Sequence, residues 1–172
     1  GILSELGSGS IECIVQSLLS GNHFHDCRMR IQAFVEGIRT PPALNDILLT
    51  RQSLTRTPVL SITIMGEKIQ EKMDGIIIST PTGSTGHSFS LGGPVIQEHL
   101  QCMMISPVAS ISRFPILVLP VEDIQITSSH ETALILDGQE THVIPAGQKI
   151  TISRSPVVAC FIWLKKKGTR QL

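Results

Sequence analysis

The sequence predicts a mainly β fold: a β-sandwich of many short strands, with one N-terminal helix and a short helix after a glycine-rich loop. Two observations predict the strands. Leu60, Ile62 and Ile64 alternate with polar residues, which is the period of a half-buried strand. Short runs rich in β-branched and other aliphatic residues also recur between turn signals, as is typical of antiparallel sandwiches and barrels. These runs are residues 47–49, 76–78, 116–118, 124–126, 134–136 and 150–152.

The first predicted element is an amphipathic helix near the N-terminus. Ser10 is suited to cap its start, and Gly21 is suited to end it, because the residue after a helix often needs a positive φ. Its apolar residues recur at helical spacing and fall on one face. They are Ile11, Ile14, Val15, Leu18 and Leu19.

The later elements alternate with turn signals. Gly66 and Glu67 can turn the chain back after the strand at 60–64, and Asp137 and Gly138 provide a similar signal. One segment departs from this rhythm, since a strand after Asp74 leads into a loop of glycine and hydroxyl residues at 79–86. A short helix over residues 87–91 follows and is stopped by residues 92–94.

Composition excludes several classes of protein. The 172 residues carry 14 Lys and Arg against 14 Asp and Glu, and only 3% are aromatic. A strongly basic surface for nucleic acid or a polybasic membrane anchor is therefore not expected. The longest apolar run, residues 157–164, is far too short to span a bilayer, and no signal peptide is visible. We therefore expect a cytoplasmic protein with neither nucleic-acid nor membrane partners.

The cysteines and the first residue give two more expectations. The four cysteines show no zinc-ligand spacing, and a chain of this length does not need disulfides for its stability. His23 and His25 share a face of a strand, and a surface strand is expected there rather than a metal site. The chain opens on Gly1 rather than Met, which suggests a fragment or a processed protein.

The loop at 82–86 is the first candidate for chemistry. Its glycines let backbone N–H groups approach a ligand, although ordinary turns have the same composition. Gly83 would serve such a loop if a positive φ is needed there. The loop also resembles a nucleophile elbow centred on Ser84, but Thr82 stands where a glycine is required and His87 is too near to be the usual base. A serine hydrolase is therefore a rival hypothesis.

Two polar pairs are further candidates. Asn45 and Asp46 precede a strand, where they form an Asx turn or, in a functional site, grip a ribose diol or a base edge. Lys72 and Asp74 are two residues apart, so on an extended backbone they point to the same side. A solvent-exposed ion pair is the structural alternative for them.

Together these segments resemble the C-terminal domain of the NAD kinase family. The ordered segments are residues 43–46, 74–75, 79–86, 92–94 and 137–139, and their order and spacing match over nearly the whole chain. The composition is similar to that of an archaeal or bacterial member. The resemblance covers residues 1–172 as one β-rich, NAD-binding domain, without the N-terminal α/β domain and its Gly-Gly-Asp-Gly loop.

The resemblance implies a function. NAD kinases transfer the γ-phosphoryl group of ATP, or in some cases polyphosphate, to the 2′-hydroxyl of the adenosine ribose of NAD to give NADP. The family implies Mg²⁺ or another divalent metal with ATP, and a homo-oligomer that is a dimer or a tetramer. The aspartate taken as general base lies in the absent loop. We therefore expect no catalytic residue and no metal site in this chain, which would be inactive alone but would supply dinucleotide binding and oligomer contacts.

The resemblance also implies NAD-binding positions. Asn45 and Asp46 match the residues that hold ribose and base, while His87 stands where the family usually has tyrosine and can still pack on an adenine. The full set is Asn45, Asp46, Arg56, Lys72, Asp74, Thr85, Gly86, His87, Ser88, Phe89, Ser90 and Gln139. A non-catalytic nucleotide-binding module on the same scaffold and a lipid kinase of the diacylglycerol type remain alternatives.

Overall fold

The structure, a computed structural model, describes residues 11–164 and confirms the mainly β fold class. Residues 28–158 form one compact unit, and residues 11–27 with 159–164 belong to a second. In chain order the elements are α1 (Ile11–Leu19), β1 (Phe24–Arg28), β2 (Ile31–Val35), β3 (Ile38–Arg39), β4 (Asp46–Arg51), β5 (Val59–Ile64), β6 (Glu67–Lys72), β7 (Gly75–Ser79), a 3-10 turn (Thr82–Thr85), α2 (His87–Ser90), β8 (Cys102–Val108), β9 (Leu117–Pro120), β10 (Ile124–Ser128), β11 (Thr132–Leu136), β12 (Glu140–Ile144), β13 (Ile150–Arg154) and β14 (Ala159–Trp163).

The larger unit contains two six-stranded sheets whose neighbouring strands are antiparallel. The first sheet has the order β3-β2-β13-β10-β5-β6, and the second has the order β12-β11-β4-β7-β8-β9. One continuous apolar core contains buried side chains from both sheets. Burial of each such side chain contributes about 1.5–3 kcal/mol, so this core is the main source of stability for the unit.

The hairpin of β5 and β6 shows how the sequence pattern produces a sheet. Leu60, Ile62 and Ile64 are buried in the core while the residues between them are only partly covered. Met65 and Gly66 make the turn with φ values of 51° and 83°, the left-handed conformation that matches the twist of a two-residue hairpin. The predicted alternation is confirmed, and the turn forms one residue earlier than the predicted Gly66–Glu67.

The second sheet is covered on part of its outer face by the segment that follows β7. All five residues of β7 are buried, as expected for a strand that is packed on both sides. Gly93, in that segment, approaches the sheet so closely that a Cβ there would lie 3.3 Å from the sulfur of Met104 on β8. This segment is therefore packed against the sheet rather than extended into solvent.

The smaller unit contains α1, β1 and β14. α1 ends as predicted, since Gly21 has a φ of 70° and its N–H donates to Leu18, while the N–H of Asn22 donates to Ser17. This is the Schellman arrangement of a helix C-terminus. No residue of α1 is buried, and Ser10, the expected cap, lies outside the described residues.

A disulfide joins Cys27 and Cys160 in this unit, although a chain of this length does not need one for its stability. The two strands β1 and β14 pair with each other and bring residues 133 positions apart into contact. A hydrogen bond from Trp163 Nε1 to Asp26 Oδ2, 3.2 Å long, connects the same strands. Among the described residues, no helix is long and apolar enough to cross a membrane.

Candidate functional site

The start of β4 and the end of β7 meet at one end of the second sheet. Asp46 pairs with Ser79 in the antiparallel register, and the N–H of Thr80 donates to the carbonyl of Asn45 at 2.9 Å. The hydroxyl of Thr80 donates to the carbonyl of Leu44 at 2.6 Å. These bonds hold the Asn45–Asp46 dipeptide against the beginning of the glycine-rich loop.

Asp137 fixes the same dipeptide from a third segment, the turn between β11 and β12. Its carboxylate accepts hydrogen bonds from the backbone N–H groups of Leu44, Asn45 and Asp46 at 2.7, 2.7 and 3.1 Å. Its own N–H donates to the carbonyl of Asp46 at 3.0 Å. Asp137 has a φ of 49°, an uncommon conformation that aspartate tolerates better than most residues. The turn therefore acts as a clamp on the entry to β4.

Asp46 is a buried carboxyl group beside another carboxylate. Burial raises the pKa of Asp46 above its ordinary value, the charge of Asp137 raises it further, and the neighbouring His87 partly opposes both effects. Asp46 is 8% exposed, and the space beside its Oδ2 adjoins Gly86. The site thus contains one carboxyl that binds protons more readily than a free aspartate does.

Gly83 explains why the loop contains glycine at this point. Its φ is not positive, so the conformational role considered for it is not the one it plays. A Cβ at position 83 would overlap the carbonyl oxygen of Asn45 and would lie 2.5 Å from its carbonyl carbon. The loop has to pass directly over the backbone of Asn45, and only glycine permits that approach.

The segment after the loop divides into buried and exposed residues. Ser88 is fully buried, and its hydroxyl bonds to the hydroxyl of Ser79 at 3.1 Å, so it anchors α2 to the sheet instead of facing a ligand. Thr85 is half-buried and donates to the carbonyl of Thr82. The other predicted members of this segment are exposed to solvent: Gly86, His87, Phe89 and Ser90.

Two further groups complete the exposed surface at this sheet end. The side-chain amide of Asn45 makes no hydrogen bond to any described residue, and Gln139 is exposed in the β11–β12 turn next to Asp137. An amide, an imidazole, a phenyl ring and a buried carboxyl group therefore lie around one loop. Such a set can hydrogen-bond hydroxyl groups and stack on a planar ring.

The serine hydrolase hypothesis is wrong. Ser84 is 0% exposed, and its hydroxyl donates to the carbonyl of Pro81 at 2.7 Å while it accepts from the N–H of Ile96 at 3.0 Å. A nucleophilic serine must be accessible and hydrogen-bonded to a base. Ser84 instead joins the loop to the segment that follows α2.

Three predicted site residues lie away from this cluster: Asp74 is beside the far end of β4, Arg56 is in the loop after β4, and Lys72 ends β6 in the first sheet. Asp74 forms an ion pair with Arg51 at 3.0 Å and accepts a hydrogen bond from Thr57 at 3.2 Å. Arg51 is at the far end of β4 from Asp46, roughly 17 Å away at about 3.4 Å per residue. The exposed Arg56 and Lys72 do not belong to the cluster around Asn45 either.

The predicted alignment of Lys72 with Asp74 is also wrong. Lys72 ends β6 in the first sheet, whereas Asp74 occupies a bend before β7 in the second sheet. The buried Met73 lies between them, and its N–H donates to the carbonyl of Pro58. Because the chain bends as it passes from one sheet to the other, the two side chains do not share the face of one strand.

The described residues do not form a divalent-metal site. Residues 11–164 contain no group of three or more His, Cys, Asp or Glu side chains placed to hold a metal ion. Asp46 and Asp137 are neighbours, but both oxygens of Asp137 already accept backbone hydrogen bonds. The Mg²⁺ implied by the family therefore does not fit this part of the protein.

Sequence reasoning did not find two positioning residues, Asp137 and Thr80. Asp137 belongs to an Asp-Gly pair, which predicts a turn and says nothing of the strand that its carboxylate contacts 91 to 93 residues away. Thr80 is one of several hydroxyl residues in the loop and has no distinguishing pattern. Only the register between β4, β7 and β11 shows what these side chains do.

These features define a mainly β domain, an antiparallel sandwich with polar and aromatic groups around a glycine-rich loop at one sheet end. Comparison with known protein families identifies the family to which this domain belongs. The profile described as the ATP-NAD kinase C-terminal domain matches residues 44–164, more than half of the chain. The chain belongs to the NAD kinase family, and this membership contradicts the lipid kinase alternative.

Individual relatives agree with this assignment. An NAD kinase of Thermococcus sibiricus is 32% identical over 94% of this chain and 60% of its own length. One of Natranaerobius thermophilus is 30% identical over 100% of this chain and 64% of its own length. The chain thus spans less than two thirds of the curated relatives it matches.

Solved structures share the fold. Yeast NADH kinase complexed with NADH matches with a TM-score of 0.82 and 27% identity, over 90% of this chain and 48% of that one. An NAD kinase from Archaeoglobus fulgidus in complex with ATP has a TM-score of 0.78 and 23% identity, over 94% and 64% of the two chains. The second likeness is evidence for the fold alone.

Proposed function

We propose that this chain is the dinucleotide-recognising part of an NAD kinase, which phosphorylates the 2′-hydroxyl of the adenosine ribose of NAD with ATP or polyphosphate. The observation that carries the proposal is the convergence of Asn45, Asp46 and the Gly86–His87 segment at one sheet end. Family membership supports the reaction, and the yeast relative was solved with NADH bound.

Each residue of this cluster has a proposed role toward NAD. The amide of Asn45 and the carboxyl of Asp46 are placed to hydrogen-bond ribose hydroxyls or a base edge. His87 and the 55% exposed Phe89 offer rings that can pack on an adenine. Thr85, Gly86, Ser90 and Gln139 would line the same ligand, whereas Ser88 would act only through its bond to Ser79.

Arg56, Lys72 and Asp74 need a different arrangement. Asp74 pairs with Arg51, which is about 17 Å along β4 from Asp46, and Arg56 and Lys72 are also outside the cluster, so these residues are not placed to contact the same ribose within one copy of the chain. We propose that they face a ligand held by a second copy in a homo-oligomer, a dimer or a tetramer. The Arg51–Asp74 ion pair would then orient the Asp74 carboxylate at that contact.

The chemical step needs groups beyond this chain. Phosphoryl transfer requires a bound donor, in-line geometry and a base or orienting group at the attacking hydroxyl. We propose that ATP, its divalent metal and the base are held by a further domain. This chain binds the acceptor and holds its ribose still, and no metal step is assigned to it. We propose that the protein acts in the cytoplasm, where ATP and NAD are both available.

Calorimetric titration of the chain with NAD and with NADP tests the recognition role. Asn45→Ala should weaken NAD binding by about 1–3 kcal/mol, because a buried hydrogen bond to the ligand is lost. Asn22→Ala, an exposed asparagine after α1, is the matched control and should leave the affinity unchanged. An unchanged affinity in Asn45→Ala would remove Asn45 from the site.

The same titration on the full-length protein completes the test. Binding there but not to the isolated chain would mean that the site closes only with the further domain. Binding without NADP formation from NAD with either ATP or polyphosphate would support the non-catalytic module and overturn the kinase proposal. An absence of NAD binding in both proteins would overturn the recognition role as well.

A further inference from the structure

A polar groove lies on the outer face of the first sheet, away from Asn45 and Asp46, which belong to the second sheet. It has a volume of about 430 Å³ and is bounded by β2, β3, β13 and the segment after β13. A second cavity of about 510 Å³ shares Phe34 and Ser153 with it, so the depression continues along the sheet. We call the first cavity the arginine groove; its principal lining residues are Gln32, Phe34, Arg39, Ser153 and Arg154.

Two arginines give the groove a positive charge that no carboxylate in its lining balances. Arg39 and Arg154 both line it, and neither is paired with a carboxylate of the described residues. The guanidinium of Arg39 lies 5.2 Å from the centre of the Phe34 ring. A guanidinium stacked in this way keeps its edge N–H groups available for an anion.

Gln32 adds a mostly buried amide to the same groove. Its side chain lines the groove although the residue is only 6% exposed. It makes no hydrogen bond to any residue in the described part of the chain. Its amide atoms are not among the buried side-chain atoms that lack a partner, so solvent reaches them through the groove. The amide is therefore available to hydrogen-bond a molecule in the groove, which would take the place of that solvent.

The walls of the groove are held by hydrogen bonds within the protein. Arg30 donates to the carbonyl of Val157 at 3.0 Å, and Ser155 N–H donates to the carbonyl of Arg30 at 2.8 Å. On the other side, the N–H of Thr40 donates to the carbonyl of Ala33 at 2.9 Å and holds the hairpin that carries Arg39. The two arginines are thus attached to fixed elements, which lowers the entropic cost of binding.

We propose that the arginine groove binds a small oxyanion, the phosphate or carboxylate group of a small molecule. The guanidinium groups of Arg39 and Arg154 donate charge-assisted hydrogen bonds to its oxygens, and Gln32 donates an amide N–H from the floor. Paired guanidinium groups match the planar faces of such anions, and Ser153 adds a hydroxyl at the same place. Nothing in this site depends on NAD binding at the other sheet.

The test is a titration of the ¹⁵N-labelled chain followed by NMR at constant ionic strength, with inorganic phosphate in one series and malonate in the other. We expect saturable shifts of the Gln32 side-chain amide and of Ser153, with a Kd on the order of millimolar. The tighter-binding series identifies phosphate or carboxylate as the preferred group. Arg39→Gln and Arg154→Gln should each weaken binding about tenfold.

Two further variants keep the test decisive. Arg113→Gln removes the same charge from an exposed site elsewhere and should bind as the unmodified chain does. Gln32→Leu keeps the size of the buried side chain and should weaken binding about fivefold while the spectrum remains that of a folded protein. Shifts that do not saturate or that map outside the groove would overturn the proposal. So would an affinity that Arg113→Gln weakens as much as Arg39→Gln and Arg154→Gln do.

Discussion

At position 83 only the hydrogen atom of glycine fits between the loop and the backbone of Asn45. A side chain there would meet the backbone of Asn45, with 2.8 Å between the new Cβ and its Cα, and a backbone cannot move aside as a flexible side chain can. Gly83→Ala should therefore lower the free energy of unfolding by about 1–3 kcal/mol. It should also weaken NAD binding, because Asn45 is displaced.

Denaturant titration measures this change, and Gly147→Ala is its control. Gly147 has a φ of 78° and open space around the missing Cβ. Alanine there would meet no neighbouring atom, and it would lower the free energy of unfolding only by the strain of the left-handed conformation, about 1 kcal/mol. It should not change NAD affinity. If Gly83→Ala and Gly147→Ala give the same free energy of unfolding and the same NAD affinity, the close approach to Asn45 is not needed for stability or for binding.

Asp46 should make stability depend on pH. Its pKa is higher in the folded protein than the ordinary value of 3.8, so the folded state holds the proton more tightly than the unfolded state. This contribution is fully present below pH 3.8 and is lost as pH rises through the folded pKa. Asp46→Asn should flatten the dependence of Tm on pH in that window, as measured by thermal melts. An identical profile in both proteins would show that Asp46 titrates normally.

At the scale of the elements, Asp137 connects the β11–β12 turn to the entry of β4. Asp137→Ala leaves three backbone N–H groups without their acceptor and should lower the free energy of unfolding by about 2–4 kcal/mol. It should also weaken NAD binding, because the carboxylate orients Asn45 and Asp46. Denaturant titration and calorimetry measure the two effects.

Asp123→Ala is the matched control for this change, since Asp123 is an exposed aspartate in another loop. It should alter stability by less than about 0.5 kcal/mol. Asp137→Asn separates charge from hydrogen bonding, because it keeps one acceptor oxygen. It should bring the pKa of Asp46 closer to its ordinary value by removing the neighbouring negative charge. Full stability in Asp137→Ala would contradict the clamp.

At the scale of the whole molecule, the Cys27–Cys160 disulfide closes a loop with a sequence separation of 133 residues. Constraining so long a loop in the unfolded chain stabilises the folded state by about 2–4 kcal/mol. Reduction should therefore lower Tm and release two additional thiols in a thiol assay. The double variant Cys27→Ser with Cys160→Ser should have the Tm of the reduced protein. Adding reductant should not change the Tm of this variant.

Cys102→Ser serves as the control because Cys102 is outside the disulfide. Its Tm should remain sensitive to the reductant, as in the unmodified protein. If the purified protein releases no additional thiols on reduction, the pair is not oxidised in solution. That result would agree with the cytoplasmic location proposed above, where disulfides are rare.

The elements that sequence predicts well are those with a strong local pattern. The alternation in β5, the turn at Met65 and Gly66, and the end of α1 at Gly21 all follow from the residues themselves. β2 and β12 carry weaker patterns, and the sequence predicts no strand at either. Their residues become strands because neighbouring strands, distant in sequence, supply the hydrogen bonds.

The sequence by itself determined the fold class, the family and most of the residues placed around the glycine-rich loop, because these depend on local periodicity and ordered motifs. Only the tertiary structure decided which of those residues meet. The antiparallel register of β4 and β7 puts Asp46 and Asp74 at opposite ends of one sheet, and β11 brings Asp137 to Asn45. Register is set by burying one face of each strand against a distant partner, and that choice cannot be seen in any short stretch of sequence.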